Sequence, residues 1–140
     1  MPHIERTIDI VWEGDVARGN GTITGRSGAF TDLPFSLPSR IALTQGKTSP
    51  EELLAAAHAG CLTMSIAGEL TGDGIPPERL EVTCTIVMDE VEGQGHEIVA
   101  SHVTISGDEV PDEIIERADQ GCPFSRLLKK AGVEVTITRA

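Results

Sequence analysis

Between Ser49 and Leu70 the chain reads as one long helix, and that helix constrains everything around it. Ser49 can accept from the amide three residues on while Glu52 reaches back, a capping box. Pro50 then takes the first helical position, where no N–H donor is needed. Gly72-Asp73-Gly74 marks the end. Apolar and small residues occupy nearly every face (Leu53, Leu54, Ala57, Leu62, Met64, Ile66, Ala67, Leu70), the pattern of a helix covered on several sides. Such a helix belongs at the centre of its fold.

The flanking segments are predicted to be strands. Thr7-Ile8-Asp9-Ile10-Val11-Trp12 alternates and is β-branched. Thr22-Ile23-Thr24 lies between two glycine clusters, and a third strand is expected around Ala29 and Phe30, giving a meander. Residues 31–47, punctuated by Pro34, Pro38 and Gly46, read as a mobile connection. After the helix, Leu80, Val82, Cys84, Ile86 and Met88 alternate with polar residues. Gly93-Gln94-Gly95 turns the chain into a returning strand from about His96 to Ser106. Pro111-Asp112-Glu113 opens a further helix, with Gly121 expected as its left-handed end. Pro123 to Ala131 is another helix, and Val133 to Thr138 a last strand. The order βββ-α-ββ-αα-β is an α+β layout with antiparallel strands, and 140 residues suffice for one domain with its own core.

Charge and composition narrow the function. A net charge of −11 disfavours nucleic acid and anionic membrane as partners. No run of about 18 apolar residues is present, and Met1-Pro2-His3-Ile4-Glu5 lacks the basic and apolar regions of a secretory signal, so the expectation is a cytoplasmic protein. With no Tyr, one Trp and three Phe, stacking on bases or sugars is disfavoured. Three cysteines in that setting point to catalysis or metal rather than a disulfide framework.

The cysteines differ in their surroundings. Cys84 falls on the apolar face of a strand and reads as a small buried hydrophobe. Cys122 stands just before the helix opened by Pro123, where unpaired amides and the positive end of the helix dipole favour a thiolate. Cys61, deep inside its own helix, gains nothing from that helix's dipole and needs a cation, for which Arg40 and Arg18 are the candidates. Glu51 and Cys61 are ten residues apart on one helix, about 15 Å along its axis. If both serve one site, a second copy of the chain supplies one of them. Ala55-Ala56-Ala57 between them is slim enough for two antiparallel helices to cross closely, a two-fold arrangement.

Trp12-Glu13-Gly14-Asp15, Arg18-Gly19-Asn20-Gly21-Thr22, Ser49-Pro50-Glu51-Glu52-Leu53, Ala56-Ala57-His58-Ala59-Gly60-Cys61 and Gly121-Cys122-Pro123-Phe124-Ser125 together resemble the OsmC/Ohr family, its osmotically inducible OsmC branch more than its organic hydroperoxide resistance branch. The resemblance covers nearly the whole chain. It implies an α+β fold of antiparallel sheets wrapped around central long helices in an intertwined homodimer. It also implies a thiol peroxidase acting on organic hydroperoxides and to some degree on hydrogen peroxide. By the match, Cys61 is the peroxidatic cysteine, Cys122 the resolving one, Arg40 the activating arginine and Glu51 its carboxylate partner, whereas the Ohr branch takes its arginine from the earlier loop, nearer Arg18. The resemblance further implies reduction by lipoylated proteins or other dithiols, and no metal or organic cofactor. Gly60 and Leu62 stand where relatives often carry Ala and Phe, which leaves the preferred peroxide weakly specified.

Two rival functions fit parts of the same pattern. His58, Cys61 and Cys122 could supply three ligands to an open zinc site, although no paired Cys-x-x-Cys supports it. A non-enzymatic dimer could use its interface cleft for an apolar ligand. His58, three residues from Cys61, reads as a packing or hydrogen-bonding residue ahead of a base.

Overall fold

The computed structural model describes residues 3–140. These fall into two compact units, one ending at Pro50 and one running from Glu51 to Ala140.

The first unit is the meander. β1 (Ile8–Glu13), β2 (Asn20–Gly25) and β3 (Leu33–Phe35) pair antiparallel in that order. The third strand begins later than Ala29 and Phe30, because those residues complete a turn instead. Gly28 adopts φ +85°, and the Gly25 amide donates to Phe30 O at 3.0 Å. Phe35 packs its ring against Trp12 with centroids 5.6 Å apart. A Cβ at Gly21 would lie 2.4 Å from the Phe35 ring, so a glycine is required beneath it.

The segment 31–47 is more ordered than the sequence reading allowed. Besides β3 it forms α1 (Leu37–Ile41), closed at its start by a capping box. Ser36 accepts from the Ser39 amide, and Ser39 Oγ accepts from the Ser36 amide at 3.0 Å. Both serines are buried, and Ser39 Oγ also donates to Thr48 O at 3.1 Å.

The second unit is built on α2 (Pro50–Gly72). By length and composition α2 is apolar enough to cross a membrane. Its buried stripe, His58, Leu62, Ile66 and Leu70, recurs every four residues, and the three aliphatic members enter a protein core. The expected cover on several faces reduces to this one stripe within the chain, with Met64 left 76% exposed on the far side.

β4 (Leu80–Val91) and β5 (Gly95–Gly107) form the long expected hairpin. Alternation holds from Leu80 to Ile86 and then breaks where the register shifts between Val87 and Met88. α3 (Asp112–Gly121) and α4 (Pro123–Lys130) follow, then β6 (Glu134–Arg139). β6 pairs with β5 in parallel, which corrects the all-antiparallel expectation. A parallel neighbour requires a crossover connection, and the two short helices supply it. The core joins Leu62, Ile66 and Leu70 of α2 to Val103 and Ile105 of β5, to Ile114 and Ala118 of α3, and to Cys122. Truncating Leu62, fully buried there, would cost on the order of 2–5 kcal/mol.

Candidate active site

Cys122 links α3 to α4. Gly121 is not left-handed, as expected from sequence; it is the last residue of α3, and Cys122 caps both helices with φ −82°. That extended conformation aims its side chain at the start of α4, where the Ser125 amide donates to Cys122 Sγ at 3.5 Å. Pro123 at the first position of α4 has no N–H to leave unpaired.

Cys61 meets Cys122 here. Cys61, on α2, packs against the core cluster that holds Cys122, close enough for that thiol to raise its pKa and for the Phe124 backbone to lower it. The first turn of α4 thus serves Cys122 through the Ser125 amide, and its Phe124 backbone favours the Cys61 thiolate. Cys61 is too deep in its own helix to gain from that helix's dipole, and the start of α4 is the helix end that acts on it. All three cysteines are free thiols; Cys122 is fully buried and Cys61 half-buried.

The Cys61 thiol is not ionised by this surrounding alone. Burial pushes it up, the neighbouring Cys122 thiol adds to the rise, and the Phe124 backbone pulls the other way. Together these groups disfavour the thiolate at Cys61.

Behind Cys122 lies a buried histidine. Nδ1 of His58 is 2.6 Å from Ser101 Oγ of β5, and Nε2 is 2.7 Å from Ser125 Oγ of α4. Burial holds this imidazole below its ordinary range, Asp119 draws it back up, and Lys129 lowers it further. With both nitrogens given to serines, His58 is not turned to a metal shared with the cysteines. Among the described residues no group of three or more His, Cys, Asp or Glu has metal-holding geometry.

Glu51 is in the first turn of α2, half-buried, on the same helix as Cys61 and about 15 Å along the axis from it. Arg40 and Arg18 belong to the first unit. Arg40, exposed in the last turn of α1, borders a cavity of about 220 Å³ walled mainly by Trp12, Val16, Phe35 and Leu37. Arg18 lines a different cavity, of about 320 Å³, together with Asn20, Ser39 and Lys47.

The family model described as OsmC-like protein matches residues 43–138. The chain belongs to the OsmC-like family. The peroxiredoxin OsmC of Escherichia coli K12 is 36% identical over 132 residues, spanning 90% of this chain and 89% of that protein. An organic hydroperoxide resistance protein-like protein of Mycoplasma genitalium is 26% identical over 116 residues, spanning 77% and 83%. The crystal structure of the organic hydroperoxide resistance protein OhrB of Bacillus subtilis shares the fold, with a TM-score of 0.74 at 22% identity over 96% of this chain and 98% of that one.

Two features of this OsmC-like site escaped the sequence reading. Ser101 and Ser125, both fully buried, are the partners of His58. Ser125 stood within the motif Gly121-Cys122-Pro123-Phe124-Ser125, so its place beside the cysteine was available; Ser101 lies in a strand with nothing local to distinguish it. Cys84 is half-buried against the core, as expected, but its sulfur is also 3.3 Å from Ser101 Oγ.

Proposed function

We propose that this chain is a thiol-dependent peroxidase that reduces organic hydroperoxides, and hydrogen peroxide less well, with Cys61 as peroxidatic and Cys122 as resolving cysteine. The observation that carries this reading is the packing of Cys61 against the cluster that holds Cys122, whose sulfur accepts from a first-turn amide of α4. The names of the Escherichia coli and Bacillus subtilis relatives agree with it.

In this reading the Cys61 thiolate attacks the distal peroxide oxygen, the O–O bond breaks, and the alkoxide leaves and takes a proton to become an alcohol. Cys61 is then a sulfenic acid. Cys122 attacks its sulfur, the S–S bond forms, and the hydroxyl leaves with the Cys122 proton as water. An external dithiol, a lipoylated protein among the donors considered, is oxidised as it returns both cysteines to thiols. The cycle uses no metal or organic cofactor. Arg40 supplies the charge that Cys61 lacks and orients the peroxide, and Glu51 holds the arginine.

The proposed active species is a cytoplasmic homodimer, each chain folding as a single OsmC-like domain. Glu51 and Cys61 of one helix are too far apart to act together, and the side of α2 that this chain leaves exposed carries Ala56, Gly60, Met64 and Gly68. A Cβ added at Gly60 or Gly68 would meet nothing within 4 Å in the chain, which leaves room for a second α2 to approach. The cavity beside Arg40 favours one other reading, a non-enzymatic dimer that binds an apolar ligand and turns over no peroxide.

A steady-state assay separates the two. Cumene hydroperoxide and hydrogen peroxide are compared, with a lipoyl dithiol and with thioredoxin as donors. The peroxidase reading expects consumption that disappears in Cys61→Ser; an active Cys61→Ser protein, or no turnover with any donor, would sink it.

A further inference from the structure

The buried polar line behind Cys122 has no part in the steps above. It runs from Cys84 Sγ to Ser101 Oγ (3.3 Å), to His58 Nδ1 (2.6 Å), across the ring to Nε2, and on to Ser125 Oγ (2.7 Å). The amide of that same Ser125 donates to Cys122 Sγ. His58, Ser101 and Ser125 are each 0% exposed. Taking an imidazole and two hydroxyls out of water carries a desolvation cost that an aliphatic residue at position 58 would avoid.

The line is satisfied in either of two directions. A neutral imidazole has one N–H and one lone pair. When Nε2–H donates to Ser125, the Ser101 hydroxyl donates to Nδ1 and the Cys84 thiol can donate to Ser101. When Nδ1–H donates to Ser101, the Ser125 hydroxyl donates to Nε2 and Ser101 can donate to the Cys84 sulfur. In both, the ring ties Ser125 on α4 to Ser101 on β5. The charged and titratable groups around it are Asp119 of α3, which favours the protonated ring, Lys129 of α4, which opposes it, and Cys84 of β4. Asp119 is itself ion-paired to Lys129.

We propose that His58 is a positioning residue for the resolving cysteine: by anchoring Ser125 to β5 it fixes the first turn of α4, and so holds Cys122 where it closes on Cys61. This rests on the reading that Cys61 and Cys122 form a disulfide. His58 gains and loses no proton in that closure. Its contribution is to favour the disulfide by keeping one sulfur in place, so it is read in the equilibrium constant of the pair.

The test equilibrates the whole protein with mixtures of reduced and oxidised dithiothreitol, traps free thiols by alkylation, and measures the Cys61–Cys122 disulfide by mass. Wild type, His58→Leu, His58→Gln, Ser125→Ala and the His58→Leu/Ser125→Ala double variant are compared, with thermal melts of the reduced forms alongside. His58→Leu and Ser125→Ala should each weaken the disulfide on the order of tenfold, about 30 mV for a two-electron couple. The double variant should be no weaker than either, because both break one link. His58→Gln, whose amide can still reach Ser125, should recover most of the loss. If His58→Leu does not fold, Ser125→Ala and His58→Gln carry the comparison.

Variants that change only the melting temperature, or that add their effects on the disulfide, overturn the proposal. A wild-type protein that forms no Cys61–Cys122 disulfide overturns it together with the resolving role of Cys122. A disulfide that responds as expected in a protein that consumes no peroxide leaves this inference standing and removes the peroxidase reading.

Discussion

Cys61, from the middle of a 23-residue helix, packs against the core cluster that holds Cys122, at the corner between two short ones. Their exposures differ, and in the proposed cycle this difference sets their order. Cys122 is sealed in the core, while Cys61 is half-buried and is the sulfur a substrate can reach. Replacing Cys122 by Ser should therefore spare the first oxidation and block the second. One equivalent of peroxide per chain would be consumed, with sulfenic and then sulfinic acid accumulating on Cys61, as followed by intact mass.

Burial and the neighbouring thiol push the Cys61 thiol up, and the proposed role of Arg40 is to offset that rise. Arg40→Ala should lower kcat/KM for cumene hydroperoxide on the order of a hundredfold or more. It should also move the pH at which Cys61 is alkylated by iodoacetamide upward. Arg18→Ala should stay within a few-fold of wild type on both. The reverse pattern would transfer the role to Arg18.

His58 gives stability a pH limb of known sign. Burial holds the folded imidazole below its ordinary value, so on acidification the unfolded chain takes up a proton first. Stability should therefore be fully present above about pH 6.5 and fall below it, until the folded ring also protonates. Urea melts across that range should show this component in wild type and not in His58→Gln; equal slopes in both proteins would remove His58 as its source.

The exposed stripe of α2 is testable independently of catalysis. Ala56 is exposed in the chain, so Ala56→Glu should leave the fold of the single chain intact by circular dichroism. Two such charges at a close helix crossing would repel. Wild type should then sediment as a dimer and the variant as a monomer, with peroxide activity lost in parallel. A dimeric variant with full activity would move the interface elsewhere.

Much of this was legible in the sequence because the signals were local. Pro50, Pro123 and Gly132 set helix starts and an end that the structure keeps, and Gly93-Gln94-Gly95 produced the hairpin between β4 and β5. What escaped depended on distant partners. The direction of β6 follows from how α3 and α4 carry the chain back to β5, which no periodicity in Val133 to Thr138 records. The third strand shifted from Phe30 to Leu33–Phe35 because a turn at Gly28 took the earlier residues. At the site, Cys122 was readable from Pro123 beside it. The influence of the Phe124 backbone on Cys61 was not, because it comes from a helix remote in sequence.

The central claim is that peroxide drives Cys61 and Cys122 into one disulfide. It is tested most directly by giving the fully reduced protein one equivalent of cumene hydroperoxide, alkylating at once, and mapping the cysteine peptides by mass spectrometry. The account predicts a single linked peptide pair joining Cys61 to Cys122, with Cys84 alkylated. Recovery of Cys61 and Cys122 as alkylated thiols, or a disulfide that contains Cys84, would contradict it.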